Sequence, residues 1–334
     1  MRGEIASLSH HVRCPLTLWL VGAGEFAAIG RIQELLTARL GVPPPGETWV
    51  GDDAAVVQTP GGPLLLAADL VVAGVHADLG LEGLDDLGWK ALAVNVSDIA
   101  AMGGVPGHAL VTVAGPPETD LGLLYSGLVE AARRWRCPIV GGDLSNGPVV
   151  TVSVAVTGSL PRGRLPVLRS GAREGDLLFV TGPLGAAAAG LRALRGGSGD
   201  LESRALASRH RRPEARVAEG LAAAEGGARA MIDISDGLAA DLGHLARASG
   251  VGVDLDHVPV AEGATEAEAL TGGEDYELLF TSPDAGAVDR SFRMAGLAGP
   301  ACIGRCTGRA GQLRLGGQPL EAGGWEHEWR WAGD

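Results

Sequence analysis

The sequence predicts an α/β (α+β) chain built as two domains. Three observations carry this. Apolar runs of strand length alternate with helix-period segments in both halves. A stretch rich in Pro, Gly and Arg at 159–166 divides those halves. The length, 334 residues, suits two domains of ordinary size. Strand order does not follow from such patterns.

Taken in order, Phe26, Ile29, Ile32, Leu35, Leu36 and Leu40 repeat at the helical period. They predict a helix over 25–40, ended by the Pro/Gly break at 43–46. Strands are expected at 54–58, 64–68 and 71–75, a helix at 87–102, a strand at 109–114 and a helix at 121–135. A short strand at 138–141 and an alternating one at 149–157 complete the first half. Beyond the divide come a strand at 177–181, a helix at 185–194, a loop at 196–203 and a strand at 229–234. A helix at 236–249 and strands at 252–255 and 277–281 follow. No internal repeat is evident. The expected domains are a leader over 1–23, disordered or reflecting a mis-set start, an N-terminal domain over 24–160 and a C-terminal domain over 161–334. The last ends in an aromatic tail with Trp325, Trp329 and Trp331.

A net charge of −13 argues against a nucleic-acid binder, which needs a basic face. No run approaches the ~20 apolar residues that span a bilayer. The four cysteines form no disulfide framework. Cys302 and Cys306 lack a second ligand pair at zinc spacing, so incidental thiols in a reducing cytoplasm are expected.

The acidic residues are the chemical signal. Asp52 and Asp53, Asp69, Asp143, Asp233 and Asp236 each stand at the end of an apolar run. Singly, each reads as a turn residue or helix cap. Their recurrence suits hard divalent cations, which gather several carboxylates with water and phosphate oxygens. Within the helix at 87–102, Ala91, Asn95 and Asp98 share one face, while Leu92, Val96 and Ile99 share another. Asp98 is therefore expected to point into a polar pocket. The chain has one lysine, Lys90, against 26 arginines. It is either a confined ammonium or an i,i+4 partner of Asp86. No P-loop motif is present. The turn at 180–185 could present amides to a phosphate, though a tight connection is the simpler reading. Gly141-Gly142 and Gly272-Gly273 suit close backbone approach.

Together these motifs resemble the thiamine-monophosphate kinase family, of the superfamily that includes aminoimidazole ribonucleotide synthetase. The resemblance runs from Gly24-Glu25-Phe26 to about Trp325. It rests on Gly51-Asp52-Asp53-Ala54, on the segment from Val72 to His76 and on that from Trp89 to Gly103. Val140-Gly141-Gly142-Asp143, Arg169-Ser170-Gly171-Ala172, the segment from Ile232 to Leu238 and Gly272-Gly273-Glu274-Asp275-Tyr276-Glu277 complete it.

The resemblance implies a two-domain aminoimidazole ribonucleotide synthetase-like fold whose N-terminal domains pair in a homodimer. It implies ATP and several Mg2+ ions, with Asp53, Asp69, Asp98, Asp143, Asp233 and Asp236 as metal ligands. Asp98, Asp233 and Asp236 would be the catalytic carboxylates. Tyr125, Gly142, Asp143, Arg169 and Ser235 would contact ATP, and His76, Glu274 and Trp325 would contact thiamine monophosphate. The family has Ser-Thr-Asp where this chain has Ala67-Ala68-Asp69, so backbone carbonyls of Ala67 or Ala68 would replace a hydroxyl ligand. The expected reaction is direct, in-line transfer of the γ-phosphate of ATP to the substrate phosphate. A monovalent-cation requirement is not readable from the residues.

Two other enzymes of the superfamily are alternatives. A selenophosphate synthetase would place a reactive Cys near the N-terminus, but Cys14 precedes the matching region. An aminoimidazole ribonucleotide synthetase would not carry the motifs at 232–237 and 272–277. A catalytically silent ATP-binding scaffold has only Ala67-Ala68 in its favour.

Overall fold

The computed structural model describes residues 25–197 and 200–327. The expected leader over 1–23, Cys14, Trp329 and Trp331 lie outside them. Helix α1 (Glu25–Leu40) has the bounds its periodicity predicts. It forms one unit with residues 326–327, where the His327 amide donates to Glu25 Oε2 at 3.4 Å.

The second unit, residues 43–325, holds two sheets. Its first half runs β1 (Ala55–Thr59), β2 (Gly62–Val72), α2 (Leu84–Ala101), β3 (Val105–Gly115), α3 (Leu121–Trp135), β4 (Ile139–Asn146) and β5 (Thr151–Ser159). The strands lie in the order β1-β2-β5-β3-β4. All neighbours are antiparallel except β3 and β4, which the crossover helix α3 makes parallel. The strands expected at 64–68 and 71–75 are one. Strand β2 stays in register with β5 from Leu64↔Ser159 to Val72↔Thr151. Asp69 is therefore inside a strand and not at its end. The strand expected at 138–141 likewise continues to Asn146, because its pairing with β3 does. Gly142 has φ 153° there, and a Cβ would sit 1.7 Å from Val111 O, so only glycine fits.

The second half comprises β6 (Leu177–Val180), α4 (Ala186–Gly196), α5 (Leu201–Arg211), α6 (Val217–Glu225), β7 (Ala230–Asp233) and α7 (Leu238–Ser249). Then come β8 (Gly252–Leu255), α8 (Glu266–Thr271), β9 (Leu278–Ser282), α9 (Ala285–Met294), β10 (Ala301–Thr307), β11 (Leu313–Leu315) and β12 (Gln318–Pro319). Its sheet has the order β12-β11-β8-β10-β6-β9-β7. Helices α5, α6, α8 and α9 and strands β10 to β12 were not expected from periodicity. The caps of α5, α8 and α9 were legible nonetheless. Asp200 accepts from the Ser203 amide where a loop was expected, Thr265 and Glu268 form a capping box, and Asp284 accepts from the Ala287 amide.

Helix α2 lies between the halves. It packs on β2, β3 and β5 on one side, on α3 beside it, and on α6 and β7 of the second half. Most of its residues are buried. Glycines make such close packing possible. A Cβ at Gly88 would meet Leu124 O at 2.2 Å, one at Gly127 of α3 would meet Asp85 O at 1.7 Å, and one at Gly220 of α6 would meet Ala100 O at 2.2 Å. The segment joining α5 to α6 is strapped to α2 and α3. Trp89 Nε1 donates to Pro213 O, Trp135 Nε1 donates to Ala215 O, and Arg212 bonds Asp85, Asp86 and Glu130. Arg212 also lies 5.6 Å from the Trp89 ring centre.

Gly127→Ala sets two effects against each other. Alanine favours an exposed helix by about 1 kcal/mol over glycine, whereas overpacking costs about 1–3 kcal/mol. A 1.7 Å approach to backbone cannot be relieved by a rotamer change. The variant should melt below the parent in a thermal scan; a higher Tm would mean that the crossing is not tight.

Candidate active site

The site grows from the polar positions of α2. A polar group in a buried helix must find a partner or lose about 1–3 kcal/mol. Asn95 donates from Nδ2 to Ala91 O one turn back and accepts from the Asp69 amide at 2.8 Å. That bond locks β2 to α2 with Asp69 beside the helix. Ser97 Oγ donates to Asp233 Oδ2 at 2.6 Å, reaching the end of β7. Asp98 lies on the Asn95 side, as the helical spacing predicts.

Asp53, Asp98 and Asp233 converge, each offering an oxygen within 4.8 Å of the others. They come from the loop before β1, from α2 and from the end of β7, so both halves contribute. The site is thus the space around a buried helix rather than the rim of one sheet. Arg169 braces it. Its Nη2 donates to Asp53 Oδ1 at 2.7 Å, and its backbone amide donates to the Asp52 carboxylate at 3.1 and 3.2 Å. Burial, with the neighbouring Asp53 charge adding to it, pushes Asp233 up to about 8 and Asp52 up to about 7. Asp98 is raised well above the ordinary carboxylate range by burial and by Asp69, Asp233 and Asp53. Asp53 Oδ2 is buried without a hydrogen-bond partner. Crowded carboxylates with an orphaned oxygen form an all-oxygen donor set that suits a hard divalent cation.

A second group stands at the start of α7. Asp236, Asp241 and His244 bring ligand atoms within 4.8 Å of one another. Asp241 accepts from the amides of Asp236 and Gly237, so it also holds the turn that carries Asp236. Burial and the Asp236 charge raise the Asp241 carboxyl, while burial and Arg169 lower His244 to about 3. Asp241 and His244 were missed in the sequence, although their i,i+3 spacing on a helix that starts beside Asp236 was the available signal. Trp325 joins here through its main chain, its amide donating to Asp236 O at 3.0 Å. The residue is 54 % exposed and hence not core.

Every residue of the segment 272–277 has a structural task. Gly272 and Gly273 leave no room for a Cβ, which would lie 2.4 Å from Glu268 O and Ser235 O respectively. Glu274 and Tyr276 adopt positive φ (70° and 50°), held by bonds from their amides to Ser235 O and Ile234 O. Asp275 accepts from the amides of Gly185 and Ala187 at the start of α4. Those amides are therefore taken, and the turn at 180–185 is a tight connection. Glu277 is bound by Arg216 and Thr181. Glu274 meets Lys90, whose Nζ donates to Glu274 Oε1 at 3.1 Å and to His76 O at 3.0 Å. Of the two readings of the lone lysine, the confined one holds: Lys90 is fully buried, and Asp86 is bonded to Arg212 instead. His76 Nδ1 accepts from the Val72 amide, which puts the proton of a neutral ring on Nε2.

Ala67 is buried toward α2, whereas Ala68 alternates to the exposed face of β2. Gly142 and Asp143 are exposed on the edge strand β4, and Asp143 belongs to neither of the two groups above. Tyr125 is half-buried against the first core. Ser235 lies in the turn between β7 and α7, its carbonyl bound by the Glu274 amide.

The raised carboxyls have a consequence for the cation-free protein. Asp52 and Asp233 ionise near 3.8 when unfolded but near 7 and 8 when folded. Between those limits the folded chain binds more protons than the unfolded one, so stability falls as pH rises. In a chelator, Tm should drop from pH 5 to pH 8, and the drop should be shallower in Asp233→Asn. Equal slopes for the two proteins would contradict this.

Comparison with known proteins bears on the same residues. The profile of AIR synthase related protein, N-terminal domain, matches residues 51–160, and that of the C-terminal domain matches 173–314. The thiamine-monophosphate kinase of Salmonella typhimurium is 39 % identical over 85 % of this chain and 91 % of that protein. The one from Aquifex aeolicus is 35 % identical over 91 % of this chain and 98 % of that protein. Among solved structures, AaThiL complexed with AMPPCP and TMP superposes with a TM-score of 0.79 at 34 % identity, covering 91 % of this chain and 97 % of that one. With both halves matched and relatives this similar covered over nearly their whole length, the chain belongs to the thiamine-monophosphate kinase family of AIR synthase related proteins.

Proposed function

We propose that this chain transfers the γ-phosphate of ATP to thiamine monophosphate, giving thiamine diphosphate and ADP. The observation that carries the reading is the convergence of Asp53, Asp98 and Asp233 from both halves, in a chain of this family. A relative solved with AMPPCP, an ATP analogue, and TMP supports the choice of substrates.

Asp53, Asp69, Asp98, Asp143, Asp233 and Asp236, with carbonyls of Ala67 or Ala68, would hold Mg2+. When bound, Mg2+ supplies positive charge between the carboxylates and the phosphates, which accounts for a phosphate-binding site on a chain of net charge −13. Asp98, Asp233 and Asp236 are the catalytic carboxylates. Arg169, Ser235, Gly142, Asp143 and Tyr125 receive ATP, and His76, Glu274 and Trp325 receive thiamine monophosphate. An oxygen of the substrate phosphate attacks the γ-phosphorus in line and ADP leaves, with no phosphoenzyme. The phosphate oxygen is already ionised near neutral pH, so no general base is required. The half-exposed Trp325 face suits a flat cationic ring through dispersion and cation–π attraction of about 0.5–2 kcal/mol.

The chain acts as a cytoplasmic homodimer in this reading. No helix among the described residues is long and apolar enough to cross a membrane. The outer face of the first sheet leaves Leu66 and Leu70 of β2 and Leu110 of β3 exposed on either side of β5, and a second copy would cover them.

Incubation with ATP, Mg2+ and thiamine monophosphate should yield thiamine diphosphate and ADP on chromatography. ATP turnover only with a purine ribonucleotide or with selenide would point to another enzyme of the superfamily. Asp98→Asn should lower kcat by about 100-fold or more, since it removes a carboxylate from the centre of the charge-compensating group, while its circular dichroism stays that of the parent. A near-normal kcat would remove Asp98 from the site.

A further inference from the structure

Lys90 has a surrounding that a stabilising ion pair does not require. Its side chain is fully buried, and two carboxyl groups of different character flank it. Glu82 is buried to nearly the same degree, 3.9 Å from Nζ, with Oε1 accepting from the Asp78 amide. Glu274 is a quarter exposed and is gripped on its inner side, both of its oxygens lying within 3.3 Å of Nζ. A third group closes the ring. The buried His210 places Nδ1 3.3 Å from Glu274 Oε2 and Nε2 3.9 Å from Glu82 Oε1. The same ammonium donates to the carbonyl of His76. One cation thus holds an acidic side chain from the second half and the main chain of a histidine turn from the first.

Glu274 also sits on strained backbone. Its positive φ is costly for a residue other than glycine and is held by the amide bond to Ser235 O. A freely rotating glutamate there would sample many rotamers, while one bound on its inner side presents the remainder of its carboxylate in a single direction.

We propose that Lys90 is a positioning residue for thiamine monophosphate: with His210 behind it, it holds Glu274 and the His76 turn in the arrangement that receives the cationic, nitrogen-rich end of that substrate. This rests on the proposed kinase reading and on Glu274 and His76 as its substrate contacts. Lys90 itself touches no substrate. Arginine does not replace it, because a planar guanidinium is larger than the slot that a fully buried ammonium fills. That accounts for a single lysine in a chain that otherwise uses arginine.

The test separates positioning from charge balance. Lys90→Met strands two carboxyls and should lower Tm. The double variant Lys90→Met/Glu82→Gln removes the more deeply buried carboxyl. The carboxamide oxygen it introduces can still accept from the Asp78 amide, so its Tm should recover toward the parent. In both variants KM for thiamine monophosphate should stay raised about tenfold or more, the size expected when a charged hydrogen-bonding partner is misplaced, with KM for ATP near the parent value. Should Lys90→Met not fold, the double variant carries the test. A double variant with parental KM for thiamine monophosphate, or one in which both KM values rise alike, overturns the proposal. If the parent does not phosphorylate thiamine monophosphate at all, the kinase reading fails. In that case calorimetric titration of thiamine monophosphate into parent and double variant still decides Lys90, since equal affinities would exclude it.

Discussion

Helix α2 has almost no solvent face, and that burial governs what surrounds it. A helix packed on a sheet, on a second helix and on another half of the chain can carry polar groups only where each meets a partner. Its polar residues are accordingly the ties of the molecule. Asn95 reaches β2, Ser97 reaches Asp233, and Lys90 reaches Glu274. Lys90 and Ser97 stand two turns apart on one face, and both bond to the second half. Asn95 and Asp98 share the face toward the first sheet. The register of one helix thus sets the position of groups in both halves. Removing one of its polar partners would strand a buried group as well as lose a bond.

The same burial makes the carboxylate group costly. Asp53, Asp98 and Asp233 oppose one another in surroundings that screen poorly, and Arg169 is the cation bonded to Asp53. A fold that keeps such a group gives up stability for it, and the tight glycine crossings at Gly88, Gly127 and Gly220 resist its spreading apart. A divalent cation bound there would offset that repulsion and thereby stabilise the fold.

The segment from Gly272 to Glu277 shows how closely a short motif can be occupied. Two glycines allow the chain to pass Glu268 and Ser235, Asp275 closes the start of α4, Glu277 binds Arg216, and Tyr276 is buried. Glu274 keeps a quarter of its side chain in the open. The other residues build the platform from which it projects.

Local periodicity and residue chemistry by themselves determined much of this protein. The helices at α1 and α3, the strand β8, the inward polar face of α2 and the importance of glycine at 142 and 272–273 are consequences of spacing and of φ or close-approach requirements, which act over a few residues. Tertiary structure decided the rest, because it depends on residues far apart in the chain. It merged two expected strands into β2 and extended β4 through pairing with β3. It gave Asp275 the amides of α4, and it brought Asp53, Asp98 and Asp233 together from three separate segments. It left Asp143 exposed on the edge strand β4. The choice between the two readings of Lys90 was of this kind. Its spacing to Asp86 allowed a surface pair, but Arg212, 122 residues downstream, bonds Asp86, and Glu274 bonds Lys90. Helical spacing tells which groups are neighbours along the helix; burial, which belongs to the whole fold, decides which of them must bind to one another.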